Sequence, residues 1–168
     1  PAEPTGAGVA VAYEGTSGKV TYLGRDGSTS WTTTLGWKDP VNQLTFSPDG
    51  RLYTLDYGRE INELDVDTGN VLATIYTGGG LPDTLAVTGD GTVLAGMGEK
   101  IYVADPDLTD YQARNLDYGI EALDGGQMSS YAYGIGFFDR MLYRPETGDW
   151  VGTNLGTWTV EKDNFITA

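Results

Sequence analysis

Apolar and polar residues alternate along the chain in short runs separated by acidic or glycine-rich turns. A two-residue alternation is the mark of a strand with one covered face. Residues 61–75 read as strand, acidic turn, strand, around Asp65, Asp67 and Gly69. The same plan recurs over 101–116, around Asp105 and Asp107, and over 140–155, around Glu146 and Gly148. A copy with a shorter turn spans 20–35, around Asp26-Gly27. The last apolar residues of these copies are Leu35, Ile75, Leu116 and Leu155, spaced 40, 41 and 39 residues apart. A period near forty is that of a repeat architecture. The stretches between the copies repeat as well. Residues 44–55 match 85–95, although Gly96 is expected to cut the second strand short. Their turns, Asp49-Gly50 and Asp90-Gly91, lie 41 residues apart. Asp-Gly between alternating apolar runs is a hairpin signal.

One unit is therefore four short antiparallel strands. The units cover about 8–35, 43–76, 84–117 and 122–156. The first has strands two to four and lacks strand one. At the other end, Asn164-Phe165-Ile166-Thr167 resembles the first strand of the second unit, Asn42-Gln43-Leu44-Thr45. Residues 158–168 are thus expected to complete the first unit and join the ends of a ring, which removes open sheet edges. The fold expected is all-β: a single domain, a small β-propeller of about four four-stranded antiparallel blades. An eight-bladed ring of two chains and a piece of a longer propeller are the alternatives.

The 71–94 stretch passes through an apolar strand, Gly78-Gly79-Gly80, a second strand, Asp90-Gly91 and a third strand. In this it resembles the YVTN-type β-propeller repeat. Thr45-Phe46-Ser47-Pro48-Asp49-Gly50 and Asp67-Thr68-Gly69-Asn70-Val71 resemble that family too, and quinoprotein-type blades. The resemblance covers roughly 43–107. It implies blades, in families that include surface-layer and adhesion proteins, lactonases and dehydrogenases, so it selects no activity. Two departures stand out. Leu52-Tyr53-Thr54 and Val93-Leu94-Ala95 replace the usual Tyr-Val, and no tryptophan-docking or quinone-binding pattern recurs in every blade.

Composition narrows the chemistry. The chain has no cysteine and no histidine, so disulfides, thiolate metal sites and Ser-His-Asp or Cys-His catalysis are excluded within it. The net charge of −14 opposes nucleic acid and anionic lipid. It favours solubility and tolerates cations. No apolar run approaches the ~18 residues of a membrane-spanning helix. No signal peptide is visible, and Pro1-Ala2-Glu3-Pro4 would suit either a cleaved leader or removal of Met. Gly78-Gly79-Gly80 precedes Leu81-Pro82 and no lysine, so it is not a phosphate loop. Gly134-Ile135-Gly136 precedes a strand, so it is not a dinucleotide fingerprint.

In a propeller, the links into each first strand and the loops between strands two and three emerge on one face, around the channel. Asp39, Asp83, Glu121 and Asp163 are each expected to lie closely before a first strand. Four converging carboxylates would repel and favour a bound cation, and calcium would suit an all-oxygen set. The competing reading is four solvated turn formers. Trp37, Tyr118 and Trp158 lie on the same links, and Tyr13, Glu14, Asp56, Tyr57 and Arg59 lie on the loops. Aromatics beside carboxylates suit sugar stacking or a protein hot spot. Packing of Trp37 and Trp158 between blades is the alternative. Glu14 with Asp56 could supply a glycosidase-like pair, a nonspecific signal. The 105–110 turn has alternating acids without the glycine and glutamate of an EF-hand loop.

The function expected is a non-enzymatic binding or adhesion module whose partner is a protein or a carbohydrate. Its ligand residues would be Trp37, Asp39, Asp56, Asp83, Tyr118, Glu121, Trp158 and Asp163. No cofactor is expected, apart from calcium as the cation that would fit. The alternatives are a structural subunit of a virion, appendage or surface assembly, including a homo-oligomer, and a lactonase-like or glycosidase-like enzyme. Exposed apolar patches would favour assembly. An extracellular, cell-surface or virion location is expected.

Overall fold

The computed structural model describes residues 1–13, 18–35, 40–115, 120–124, 132–136, 140–144 and 149–152. They form fifteen strands in four antiparallel sheets, and no helix. Sheet one is β1 (Gly8–Tyr13), β2 (Lys19–Gly24) and β3 (Thr29–Thr34). Sheet two is β4 (Val41–Phe46), β5 (Leu52–Asp56), β6 (Glu60–Leu64) and β7 (Val71–Tyr76). Sheet three is β8 (Pro82–Val87), β9 (Val93–Met97), β10 (Lys100–Ala104) and β11 (Tyr111–Asn115). Sheet four is β12 (Ile120–Asp124), β13 (Ala132–Gly136), β14 (Arg140–Arg144) and β15 (Asp149–Gly152). Within each sheet the strands follow one another as hairpins, so every pairing is local in sequence.

The Asp-Gly signals form turns. In the first, Gly50 sits at φ 92°, Ser47 Oγ hydrogen-bonds the Asp49 carboxylate, and the Gly50 N–H donates to the Ser47 carbonyl at 3.0 Å. Thr88 and Asp90 repeat the device one unit later, with Gly91 at φ 89°. The expected stop at Gly96 does not occur. β9 runs on to Met97, with Gly96 paired to Thr84 on one side and Ile101 on the other. Two flanking strands supply the ladder that the glycine's own propensity opposes.

Sheets stack through their leading strands, β1 on β4, β4 on β8 and β8 on β12. Two apolar cores fill the gaps. Ala10, Val20, Tyr22, Trp31, Leu52 and Leu64 meet between sheets one and two. Tyr53, Leu55, Ile61, Val93, Met97 and Tyr102 meet between sheets two and three. In sheets two and three the turn between the third and fourth strands reaches back to the sheet before it. The Trp31 indole N–H donates to the Val66 carbonyl at 2.7 Å while its ring stacks on Tyr22 at 5.7 Å. Gly69 must be glycine there. At φ +74°, an added Cβ would lie 2.5 Å from Thr33 Oγ1 and 2.6 Å from the Trp31 ring.

Among the described residues no comparable packing joins β1–β3 to β12–β15. The strand expected to complete sheet one, within 158–168, lies outside the described residues. Part of its place is taken by the N-terminus. Ala2 bridges Val9, the Glu3 N–H donates to the Gly8 carbonyl, and the Ala10 N–H donates to the Pro1 carbonyl, both at 2.9 Å. The Tyr22 hydroxyl fixes this segment by donating to Glu3 Oε2 at 2.6 Å. Burial first, and then Glu3, push the Tyr22 pKa up to about 12.

Candidate binding face

The end of β1, the turn from β5 to β6 and the link from β7 to β8 lie at one end of the sheets. Tyr13 ends β1 and Tyr57 follows β5, and they are 56% and 47% exposed. Leu81, on the link, is 69% exposed. The backbone beneath Tyr57 and at the start of the link is fixed. The Tyr57 N–H donates to the Pro40 carbonyl at 3.1 Å, and the Thr77 N–H to the Arg59 carbonyl at 3.0 Å. The Thr77 hydroxyl donates to that same Arg59 carbonyl at 2.9 Å. This holds Arg59 at φ 69°, a left-handed conformation uncommon for a residue with a side chain.

Of the eight ligand residues expected from sequence, two have described side chains, and both are used by turns. Asp56 is 1% exposed and accepts the Glu60 N–H at 2.9 Å, which closes the 56–60 turn. Asp83 is exposed, and its Oδ2 accepts the Gly98 N–H at 2.7 Å, capping the β9–β10 turn across the link. Glu121 lies in β12, next to β8, with no side-chain description. Trp37, Asp39, Tyr118, Trp158 and Asp163 lie outside the described residues, as does Glu14, the suggested partner of Asp56. Among the described residues, no group of acidic side chains is placed to hold a metal ion.

The acidic turns at the opposite end also serve the backbone. Asp65 Oδ1 accepts the Thr68 hydroxyl at 2.9 Å and the Thr68 and Asp67 amides at 2.8 and 3.0 Å. These bonds, the hydroxyl first, hold its carboxyl below the usual range. Burial pushes Asp105 up, but bonds from the Thr109 hydroxyl and the Asp110 and Thr109 amides outweigh it. The suggested calcium loop is therefore organised by its own hydrogen bonds.

Sequence reasoning missed a charged clamp at this end. Arg51 projects into a groove of about 470 Å³ between the 47–51 and 88–92 turns and the tip of 105–110. Its guanidinium hydrogen-bonds the Asp107 carboxylate and donates to the Pro106 carbonyl at 3.2 Å. It lies 3.6 Å from the Glu63 carboxylate and 3.4 Å from that of Asp49. The Tyr53 hydroxyl donates to the same Pro106 carbonyl at 2.7 Å. Burial raises the Glu63 pKa, and Arg51 opposes that rise. With three carboxylates around one guanidinium the groove has no cationic surplus, so it is a fastening between sheets two and three. The contacts span more than fifty residues of chain, and neither Arg51 nor Pro106 stands out from its neighbours in the sequence.

No protein-family model matches the chain, and no curated protein matches it. Solved structures do. The chain is similar to the structure of U3-55K, at 13% identity with a TM-score of 0.79, over 90% of this chain and 50% of that one. It is similar to the crystal structure of the RRP9 WD40 repeats, at 13% identity and a TM-score of 0.79, over 90% of this chain and 49% of that one. The fold is that of a β-propeller, and the chain spans about half the length of these neighbours. No helix among the described residues is long and apolar enough to cross a membrane.

Proposed function

We propose that the chain is a non-catalytic protein-binding module. It engages its partner through the loop end that carries Tyr13, Tyr57 and Leu81. The observation that carries this reading is the exposure of Tyr13, Tyr57 and Leu81 at one end of the sheets, with Tyr57 beside the hydrogen-bonded, left-handed turn at Arg59. Two exposed tyrosines and a leucine on a rigid sheet end are hot-spot chemistry, because little side-chain entropy is lost on binding. The likeness to propellers of WD40 repeats fits an interaction scaffold, by analogy of fold alone. The YVTN-type and quinoprotein-like character of the repeats rests on their sequence motifs. Carbohydrate at the same end, and avoidance of nucleic acid, rest on the aromatic loops and the −14 charge. Calcium would depend chiefly on Asp39, Glu121 and Asp163, since Asp83 caps a turn.

The test is affinity capture with the chain carrying Tyr57→Ala and Leu81→Ser, beside a chain carrying Leu72→Ser on the outer strand β7. A partner of the loop end should weaken by roughly thirtyfold or more for the first chain, the effect of losing about 2 kcal/mol at a hot spot, and bind the second as it binds the wild type. Equal retention on both chains would remove the loop end as the binding face.

A second reading, an assembly subunit, is favoured by a separate observation. The face of sheet one turned away from sheet two exposes Val9, Val11 and Tyr13.

A further inference from the structure

Two arginines of sheet two meet opposite surroundings. Arg51 has the carboxylates of Asp49, Glu63 and Asp107 around it. Arg59 stands at the other end of the same sheet, half-buried, and among the described residues its guanidinium has neither an ion pair nor a hydrogen bond. Its backbone is nonetheless fixed. The Arg59 carbonyl accepts from both the amide and the hydroxyl of Thr77, which sets the 77–81 link beside it. A partly desolvated guanidinium without an acceptor has donors to spare for a ligand.

The surroundings add further donors and aromatic rings. Among the described residues, the N–H groups of Gly78, Gly79 and Gly80 donate to no protein acceptor. Gly79 passes so close to Tyr102 that an added Cβ would lie 2.5 Å from the phenol oxygen. Tyr102 is 2% exposed, and among the described residues its hydroxyl has no acceptor either. Burial and Tyr111 raise the Tyr102 pKa, and the Arg59 charge is near enough to oppose that rise. Arg59, the glycine link and the Tyr102 hydroxyl therefore share one neighbourhood. Tyr57 and Tyr76 flank it, and the Tyr111 hydroxyl donates to the Tyr76 carbonyl at 3.3 Å.

Distance keeps much of the protein's negative charge away from this place. The acidic turns at 47–51, 65–70, 88–92 and 105–110 lie at the opposite end of the sheets. A five-residue strand such as β5 puts about 16 Å between the ends. That is about twice the ~8 Å over which physiological salt screens exposed charges. The nearer charges are mixed. Asp56 closes its own turn, Asp83 holds the Gly98 N–H, Glu60 follows Arg59, and Glu99 is followed by Lys100.

We propose that Arg59 anchors an aspartate or glutamate side chain of the partner protein. The guanidinium and the link amides take the carboxylate, and Tyr57, Tyr76 and Leu81 take the apolar residues beside it. The anchor rests on the loop end being the binding face and names the chemistry of what binds there. A carboxylate fits better than a phosphate group, because Glu60 and Asp83 oppose a second negative charge.

The probe is a displayed library of random linear peptides, selected on the full 168-residue chain. Selected peptides should share an Asp or Glu at one position, next to apolar residues. Asparagine suits a left-handed backbone, so Arg59→Asn should melt no lower than the wild type. It should bind the peptides about tenfold or more weakly, the effect of losing charged hydrogen bonds. Arg59→Glu should recover binding when lysine replaces the shared acid. The chain carrying Tyr57→Ala and Leu81→Ser should also bind more weakly. Peptides that lose affinity for that chain and keep it for Arg59→Asn would overturn the anchor and leave the loop end as the binding face. Peptides indifferent to both changes would overturn the anchor and the loop end together. A selection without a shared acid would overturn the anchor. Phosphoserine in place of the acid should bind more weakly, and tighter binding would make phosphate the ligand and overturn the carboxylate assignment.

Discussion

β1 and β5 run in matching places in neighbouring sheets, yet they meet different surroundings. Every residue of β5 is buried, with Leu52 in one core and Tyr53 and Leu55 in the other. Along β1 the exposure alternates, with Ala10 buried and Val9 and Val11 bare. The bare residues are as apolar as the covered ones. Exposure among the described residues is therefore set by which sheets flank a strand rather than by local composition.

The covered side of the comparison should break first at Trp31. Trp31→Ala removes a buried ring, its stack on Tyr22 and its bond to Val66, and opens a cavity against the 65–70 turn. A loss of about 3–5 kcal/mol is expected in urea unfolding. A loss below about 1 kcal/mol would mean that the turn does not bind sheet two to sheet one.

Next comes the clamp between sheets two and three. Arg51→Ala leaves Glu63, 7% exposed, without its nearest positive charge and frees Asp107 and the Pro106 carbonyl. A cost of about 1–3 kcal/mol is expected, read by thermal unfolding. Pairing the substitution with Glu63→Gln should recover part of it, since the uncompensated charge goes.

The smallest effect should come from pH. Asp65, Asp90 and Asp105 are held below their ordinary range. Their contribution is present above the unfolded value near pH 4 and is lost as pH falls through the lowered folded values. Glu63 runs the other way, because its raised pKa favours the protonated form in the fold. The net expectation is a melting temperature that declines below about pH 4. Asp65→Asn and Asp105→Asn should flatten that decline, and an unaltered acid limb would contradict the turn assignment.

What the sequence made legible was local. The forty-residue period, the Asp-Gly hairpins and the acidic turns after the third strands are set by neighbours in the chain, and such patterns survive in any surroundings. Gly96 was misread because its strand is held by partners on both sides. The fastening of Tyr53 and Arg51 to Pro106 was invisible because its members are 53 and 55 residues apart. The pairing of residues 1–3 with β1 carried no signal, since Pro1-Ala2-Glu3 has no strand-like alternation. The two described candidate ligands, Asp56 and Asp83, have the composition of a site and the geometry of turn caps. Asp serves both purposes, so residue type alone could not separate them. The bare face of sheet one was equally hidden, because Val9 and Val11 read like any strand residues with a covered face.

Amide hydrogen exchange at β1 and β5 tests the comparison most directly. The account expects the β5 amides, paired and buried on both sides, to stay among the slowest. It expects Ala12 in β1, beyond the pairing with residues 1–3, to exchange much faster. Exchange at Ala12 as slow as in β5 would contradict the account.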